Sequence, residues 1–188
     1  VLERGILNWE WVQSILEAID RIPGCSGASI ALATRDVYQY LHHPAIAQEI
    51  DDGVSKAFSP GVETVVVSHS LGTVVAYNLL SQGLPHGWRV PLFITLGSPL
   101  AVTEIKETVK RAHGLRCPGC AGGWFNAMDE RDVVALHALT PGHFPVDPAI
   151  PAIENKTDVW NHTPNHHSID GYLEDAEVAR KIHAALTA

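Results

Sequence analysis

The chain has 188 residues, a formal net charge of −8, and 46% hydrophobic against 18% charged residues. That balance belongs to a globular protein long enough for one substantial core, not to a disordered segment. The acidic surplus argues against a nucleic-acid binder, which carries a basic face, and disfavours an anionic membrane surface, and no run approaches the roughly 18 uninterrupted apolar residues of a membrane span. The opening Val1-Leu2-Glu3-Arg4 lacks the basic start and long apolar core of a secretory signal. A processed signal would leave no trace, so the compartment stays open.

In chain order, residues 6–22 place Trp11, Ile15, Ile19 and Ile22 with Val12 and Leu16 on one stripe. This predicts a helix, stopped by Pro23-Gly24. Residues 27–33, Gly-Ala-Ser-Ile-Ala-Leu-Ala, read as a short buried strand or an extended connection. A helical pattern returns from Val37 to Phe58, interrupted at His43-Pro44 and ended by Ser59-Pro60-Gly61. The β-branched run from Thr64 to His69 predicts a strand, and a helix follows over 71–80, ending near Gly83-Leu84-Pro85. Val90 to Leu96 is the next buried strand, closed by Gly97-Ser98-Pro99, and a helix covers 101–111. Trp124 to Met128 and a short Val159-Trp160-Asn161 complete the strands, and the last helix runs over 171–186. Strand alternating with helix implies parallel strands, right-handed crossovers and a three-layer α/β fold. Residues 1–188 are expected to form it as one domain, without internal repeats.

The most informative stretch is Val65-Val66-Val67-Ser68-His69-Ser70-Leu71-Gly72-Thr73-Val74-Val75-Ala76. An apolar strand passes through a tight turn into a helix, the form of a nucleophile elbow that pushes a serine hydroxyl into the open. The strict pattern is G-x-S-x-G, and Ser68 stands where its first glycine would be. Small residues on both sides of the nucleophile are expected because strand and helix backbones approach closely there.

A serine hydroxyl needs a base to take its proton, usually a histidine oriented by a carboxylate. The acid is sought just past a later strand, where Met128-Asp129-Glu130-Arg131-Asp132 offers Asp132 first and Asp129 second. The base is sought in a loop ahead of the final helix, where Asn165-His166-His167-Ser168 offers His167, then His166, with His162 a distant third. His69, beside the nucleophile, is expected to pack under the elbow.

Cys117-Pro118-Gly119-Cys120 reads as a redox dithiol, half of a zinc site or a small disulfide loop. Three cysteines cannot supply a four-cysteine site within one chain, and a Cys/His site would enlist His113. A surface turn holding a reduced or bridged pair is the preferred reading. The remaining histidines are read as surface or structural groups.

Ser-His-Ser-Leu-Gly-Thr-Val-Val-Ala-Tyr, Thr-Leu-Gly-Ser-Pro-Leu, Trp-Phe-Asn-Ala-Met-Asp-Glu-Arg-Asp-Val-Val-Ala and His-Ser-Ile-Asp-Gly-Tyr-Leu together resemble bacterial lipase/esterase-like members of the α/β-hydrolase superfamily. The resemblance runs over residues 35–186. It implies an α/β-hydrolase-like fold, a triad of Ser70, Asp132 and His167, and an oxyanion donor at the Leu71 amide. Such hydrolases take a second oxyanion amide from an earlier strand-to-helix loop often marked by His-Gly, and no such loop precedes Ser70 here. The chain is therefore expected either to be the C-terminal portion of a longer protein or to draw that donor from elsewhere. Without front strands the sheet would keep an open edge, liable to pair with a second copy or with a missing N-terminal segment.

The expected activity is hydrolysis of short- or medium-chain carboxylic esters through an acyl-enzyme on Ser70, with no metal or organic cofactor. The alternatives are an acyltransferase using the same serine, a hydrolase-shaped binding module with little activity, and a metal protein built on Cys117 and Cys120. Trp9, Trp11, Phe125 and Phe144 are candidates for an acyl pocket or for core. Residues 142–151, with three prolines, form either a lid or a rigid connection.

Overall fold

The computed structural model describes residues 27–82 and 87–188. The helix expected over 6–22, with Trp9 and Trp11, lies outside them. The described chain begins with α1 (Gly27–His42) and α2 (Pro44–Ser55). Residues 27–33 are thus helical, not extended as expected. Seven alanine-rich residues carry too short a pattern to show a period, but alanine favours a helix, and the stripe continues through buried Val37 and Tyr40. Pro44 opens α2 in its first turn, where a missing N–H does no harm. The Tyr40 hydroxyl donates to Asp51 at 2.9 Å, tying the two helices together.

The β-branched and aromatic segments form a four-stranded, all-parallel sheet among the described residues: β1 (Val66–His69), β2 (Phe93–Leu96), β3 (Trp124–Ala127) and β4 (Ile153–Lys156), in that order. The register pairs His69 with Leu96, Leu96 with Ala127 and Ala127 with Lys156. The strands therefore end level. β2 and β3 are buried at every residue, as expected of parallel strands covered on both faces.

Between β1 and β2 runs α3 (Leu71–Ser81), buried from Thr73 onward. Between β2 and β3 runs α4 (Thr103–His113), whose charged face is wet and whose Ile105 and Val109 point inward. On one face of the sheet, Phe93 and Trp124 pack with Val74, Tyr77, Leu100 and Phe144. On the other, Ile94, Leu96, Phe125 and Ala127 pack with Tyr172 of α5 (Ile169–Leu173) and Val178 of α6 (Ala176–Thr187). This two-sided packing is the layered arrangement of an α/β fold. Among the described residues β1 pairs on one side only, and Val67 on it is 38% exposed.

Several expectations change. The fourth strand is Ile153–Lys156, not Val159-Trp160-Asn161. Ile-Glu-Asn-Lys carries one apolar residue and gives no apolar run; its Asn155 instead donates to Leu139 O and accepts from Asn126. Around Val159 the backbone bonds outward, to Met128 O and to the Asp129 carboxylate, and makes no strand. The last helix is two helices, because Asp175 accepts from the amides of Glu177 and Val178 and caps a new start. Phe125 and Phe144 are 1% and 0% exposed, so they are core and not an acyl pocket. Phe144, edge-on to Tyr77 and Trp124, anchors the 142–151 segment, and Asp147 N donates to Leu115 O. That segment is a pinned connection. Cys117 is buried and bonds Pro151 O, while the turn reaches the surface at exposed Gly119 and half-buried Cys120, and both thiols are free. His113 meets Asn78 at 2.9 Å, and among the described residues no cluster of three or more metal-ligating side chains forms. No helix among them is long and apolar enough to cross a membrane.

Candidate active site

In parallel sheets ligands gather beyond the carboxyl ends of the strands. Here β1 ends at His69, β2 at Leu96 and β3 at Ala127, so Ser70, Gly97 and Met128-Asp129 leave the sheet side by side. Ser70 has φ 53° and ψ −127°, a backbone state that costs a non-glycine residue on the order of 1–3 kcal/mol. It persists because its surroundings over-determine it. Ser70 N donates to Leu96 O at 3.1 Å, Ser70 O accepts from Thr73 N and from Thr73 Oγ1 at 2.7 Å, and Thr73 Oγ1 meets buried Ser98 Oγ at 2.8 Å. Ser68 earns its place differently from a glycine: its hydroxyl donates to Ile94 O across the β1–β2 ladder at 2.9 Å. The close approach expected at Gly72 is absent, since a Cβ there would meet nothing within 4 Å among the described residues.

Ser70, His167 and Asp132, distant in sequence, form one hydrogen-bonded line. His167 Nε2 lies 2.9 Å from Ser70 Oγ and His167 Nδ1 lies 2.8 Å from Asp132 Oδ2. The carboxylate can only accept, so Nδ1 carries the proton and Nε2 is free to accept from the serine hydroxyl. Asp132 is 1% exposed. Its Oδ1 accepts from the amides of Val134 and Ala135, and its Oδ2 accepts from Tyr172 OH at 2.6 Å as well as from His167.

The second-choice residues do other work. Asp129 is tied to Arg131 Nε and Nη2 and to the Arg131 and Asn161 amides. Burial pushes its carboxyl up, but the bonds from Arg131 and Asn161 outweigh that and hold it below the ordinary range. Arg131 also lies 3.8 Å over the exposed Trp160 ring. His166 takes φ 51° and donates Nδ1–H to Asn161 O, turning the chain so that its neighbour, not itself, faces Ser70. His162 is exposed beside Glu174.

Four further residues support the site. His69 donates Nε2–H to His167 O at 2.6 Å, with the two rings 4.6 Å apart. Burial, then the neighbouring His167, lower its pKa and keep it neutral. Asn161, fully buried, donates to Ser168 O at 2.8 Å. Gly97, at φ +54°, leaves room that a methyl would close: its Cβ would stand 2.9 Å from Asp132 Oδ2 and 3.2 Å from His167 Nδ1. Tyr172 completes the set. The sequence places His69 under the elbow and marks Gly97-Ser98-Pro99 as a strand-ending turn, but assigns Asn161 and Tyr172 no role at the site. Leu71 opens α3, so its amide has no acceptor within the helix and sits at the positive end of the helix dipole.

The arrangement suits proton abstraction from a serine hydroxyl and stabilisation of the imidazolium that results. No protein-family model, curated protein or solved structure matches this chain.

Proposed function

We propose that this protein is a serine hydrolase of the α/β-hydrolase type that cleaves carboxylic esters, with Ser70, His167 and Asp132 as its catalytic triad. The observation that carries the reading is the continuous line from Ser70 Oγ through the His167 imidazole to buried Asp132, at 2.9 and 2.8 Å. It begins on a serine held in a strained turn between a strand and a helix.

In this mechanism Ser70 Oγ attacks the ester carbonyl while His167 Nε2 takes the hydroxyl proton. Asp132 keeps the imidazole in its Nδ1–H tautomer and balances its charge. The Leu71 N–H, at the start of α3, donates to the oxygen that becomes negative as the carbonyl turns tetrahedral. His167 then returns the proton to the departing alkoxide, leaving an acyl group on Ser70. Water, deprotonated by the same imidazole, releases the acid. The substrate class is a short- or medium-chain acyl ester, and the chemistry needs neither metal nor organic cofactor.

Hydrolysis of p-nitrophenyl acetate and longer p-nitrophenyl esters tests the reading. The expected result is turnover in the native protein that falls to background in Ser70→Ala. Folded native protein without turnover on any chain length would contradict it.

A further inference from the structure

Tyr172 shares an acceptor with the base. Its hydroxyl donates to Asp132 Oδ2 at 2.6 Å, and the same oxygen accepts His167 Nδ1–H at 2.8 Å. The phenol is itself fixed, because its oxygen accepts from Asp129 N at 3.2 Å and the residue is 0% exposed. Its ring packs with Ile94, Leu96 and Phe125 beneath the sheet edge. Burial, then the Asp132 charge, drive its pKa far above the ordinary tyrosine value, so it is a neutral donor throughout the working range.

We propose that Tyr172 is a positioning residue that sets how strongly the His167–Asp132 pair holds its proton. The proposal rests on reading Ser70, His167 and Asp132 as the reacting set. A fixed O–H aimed at Oδ2 spreads the carboxylate charge over two donors, leaving less for the imidazolium alone. It also pins the carboxylate, whose Oδ1 is already held by the Val134 and Ala135 amides. Among the described residues, the other titratable groups facing this pair are His69 from β1, kept neutral, and Asp129, whose charge is taken up by Arg131. Neither donates to Oδ2. Tyr172 is therefore the group through which the acidity of the pair, as one coupled unit, is adjusted.

Two variants read this with opposite signs. Tyr172→Phe keeps the ring and removes the donor. Incorporation of 3-fluorotyrosine at position 172 keeps the fold and strengthens the donor. The rate of Ser70 phosphonylation by a fluorophosphonate is followed against pH, alongside the imidazole titration of His167 by nitrogen-15 NMR without any ester or probe. The acid limb and the imidazole midpoint should rise by about half a pH unit or more in Tyr172→Phe and fall in the fluorotyrosine protein. KM for p-nitrophenyl butyrate should stay within about twofold, because the phenol does not touch substrate. A midpoint unmoved or raised in the fluorotyrosine protein overturns the proposal, even if Tyr172→Phe does not fold. Absence of labelling in native protein contradicts the hydrolase reading instead, and the imidazole midpoints still decide the role of Tyr172.

Discussion

Gly97→Ala adds one methyl at the most crowded point behind the site. That methyl would stand 2.9 Å from Asp132 Oδ2, 3.0 Å from Tyr172 Cε2 and 3.2 Å from His167 Nδ1, all inside the 3.4 Å at which ordinary contact begins. The carboxylate, ring and imidazole must retreat by a few tenths of an ångström. The backbone adds its own strain, since φ is +54° and a left-handed conformation costs an L residue about 1–2 kcal/mol. With overpacking of about 1–3 kcal/mol, the total loss of stability is on the order of 2–5 kcal/mol. For a chain of this size that lowers Tm by roughly 4–20 °C. Because the displaced atoms carry the Ser70–His167–Asp132 line, kcat for p-nitrophenyl butyrate should fall by about 10- to 100-fold. Thermal unfolding and steady-state kinetics on the purified variant read both effects. Gly53→Ala, in α2 with nothing among the described residues within 4 Å of its Cβ, is the comparison, expected to gain about 0.5–1 kcal/mol with turnover unchanged. Native Tm and kcat in Gly97→Ala would refute the reasoning.

Other changes test the supports of the site separately. A methyl at Gly171 would collide with the Asn161 side chain, which holds Ser168 O; Gly171→Ala should lose about 2 kcal/mol or more in thermal unfolding, and an unchanged melt contradicts it. His69 is held below its ordinary value of 6.5 in the folded state. The unfolded chain therefore takes the proton first, and stability drops as pH falls through 6.5 toward the folded value. Urea midpoints should decline between pH 7 and 5, and His69→Gln should flatten that decline; an identical slope in the variant would count against the buried neutral imidazole. Asp129 has the opposite chemistry, with a folded pKa below 3.8. Its stabilisation is complete above about pH 5 and lost as pH falls through 3.8 toward the folded value. Asp129→Asn should be less stable at pH 7 and less sensitive to acid below pH 5, and equal stability at pH 7 would show that the pairing of buried Asp129 with partly exposed Arg131 contributes nothing.

The parts of the fold legible in the sequence were those whose signal is local. Val65-Val66-Val67 followed by a small-residue turn and an apolar helix reads directly as β1, Ser70 and α3, and the Phe93 and Trp124 strands announce themselves by apolar runs broken only at Thr95 and Asn126. Chain order brings Asp132 and His167 forward as partners, and in the structure His167 meets Ser70 while Asp132 meets His167. What stayed hidden depends on contacts far apart in the chain. β4 is a polar strand, at the sheet edge among the described residues, held by Asn155 and by Lys181 reaching Glu154, so no apolar run marks it. The start of α1 is alanine-rich and has no readable face over seven residues. Gly97 and Tyr172 look like an ordinary turn and an ordinary helical aromatic until the sheet and α5 bring them together around Asp132. The sequence ranks Asp132 ahead of Asp129 without a contact to divide them; Arg131 separates them, because its guanidinium claims Asp129 and leaves Asp132 to His167.

The most direct measurement is the mapping of a covalent adduct. Native protein treated with a fluorophosphonate, digested and analysed by mass spectrometry should carry a single phosphonyl group on the peptide containing Ser70. The adduct should disappear in Ser70→Ala, and its formation should slow by orders of magnitude in His167→Gln with the fold intact. A folded native protein that stays unlabelled, or that labels equally with His167 replaced, would contradict the claim that His167 and Asp132 make Ser70 a nucleophile.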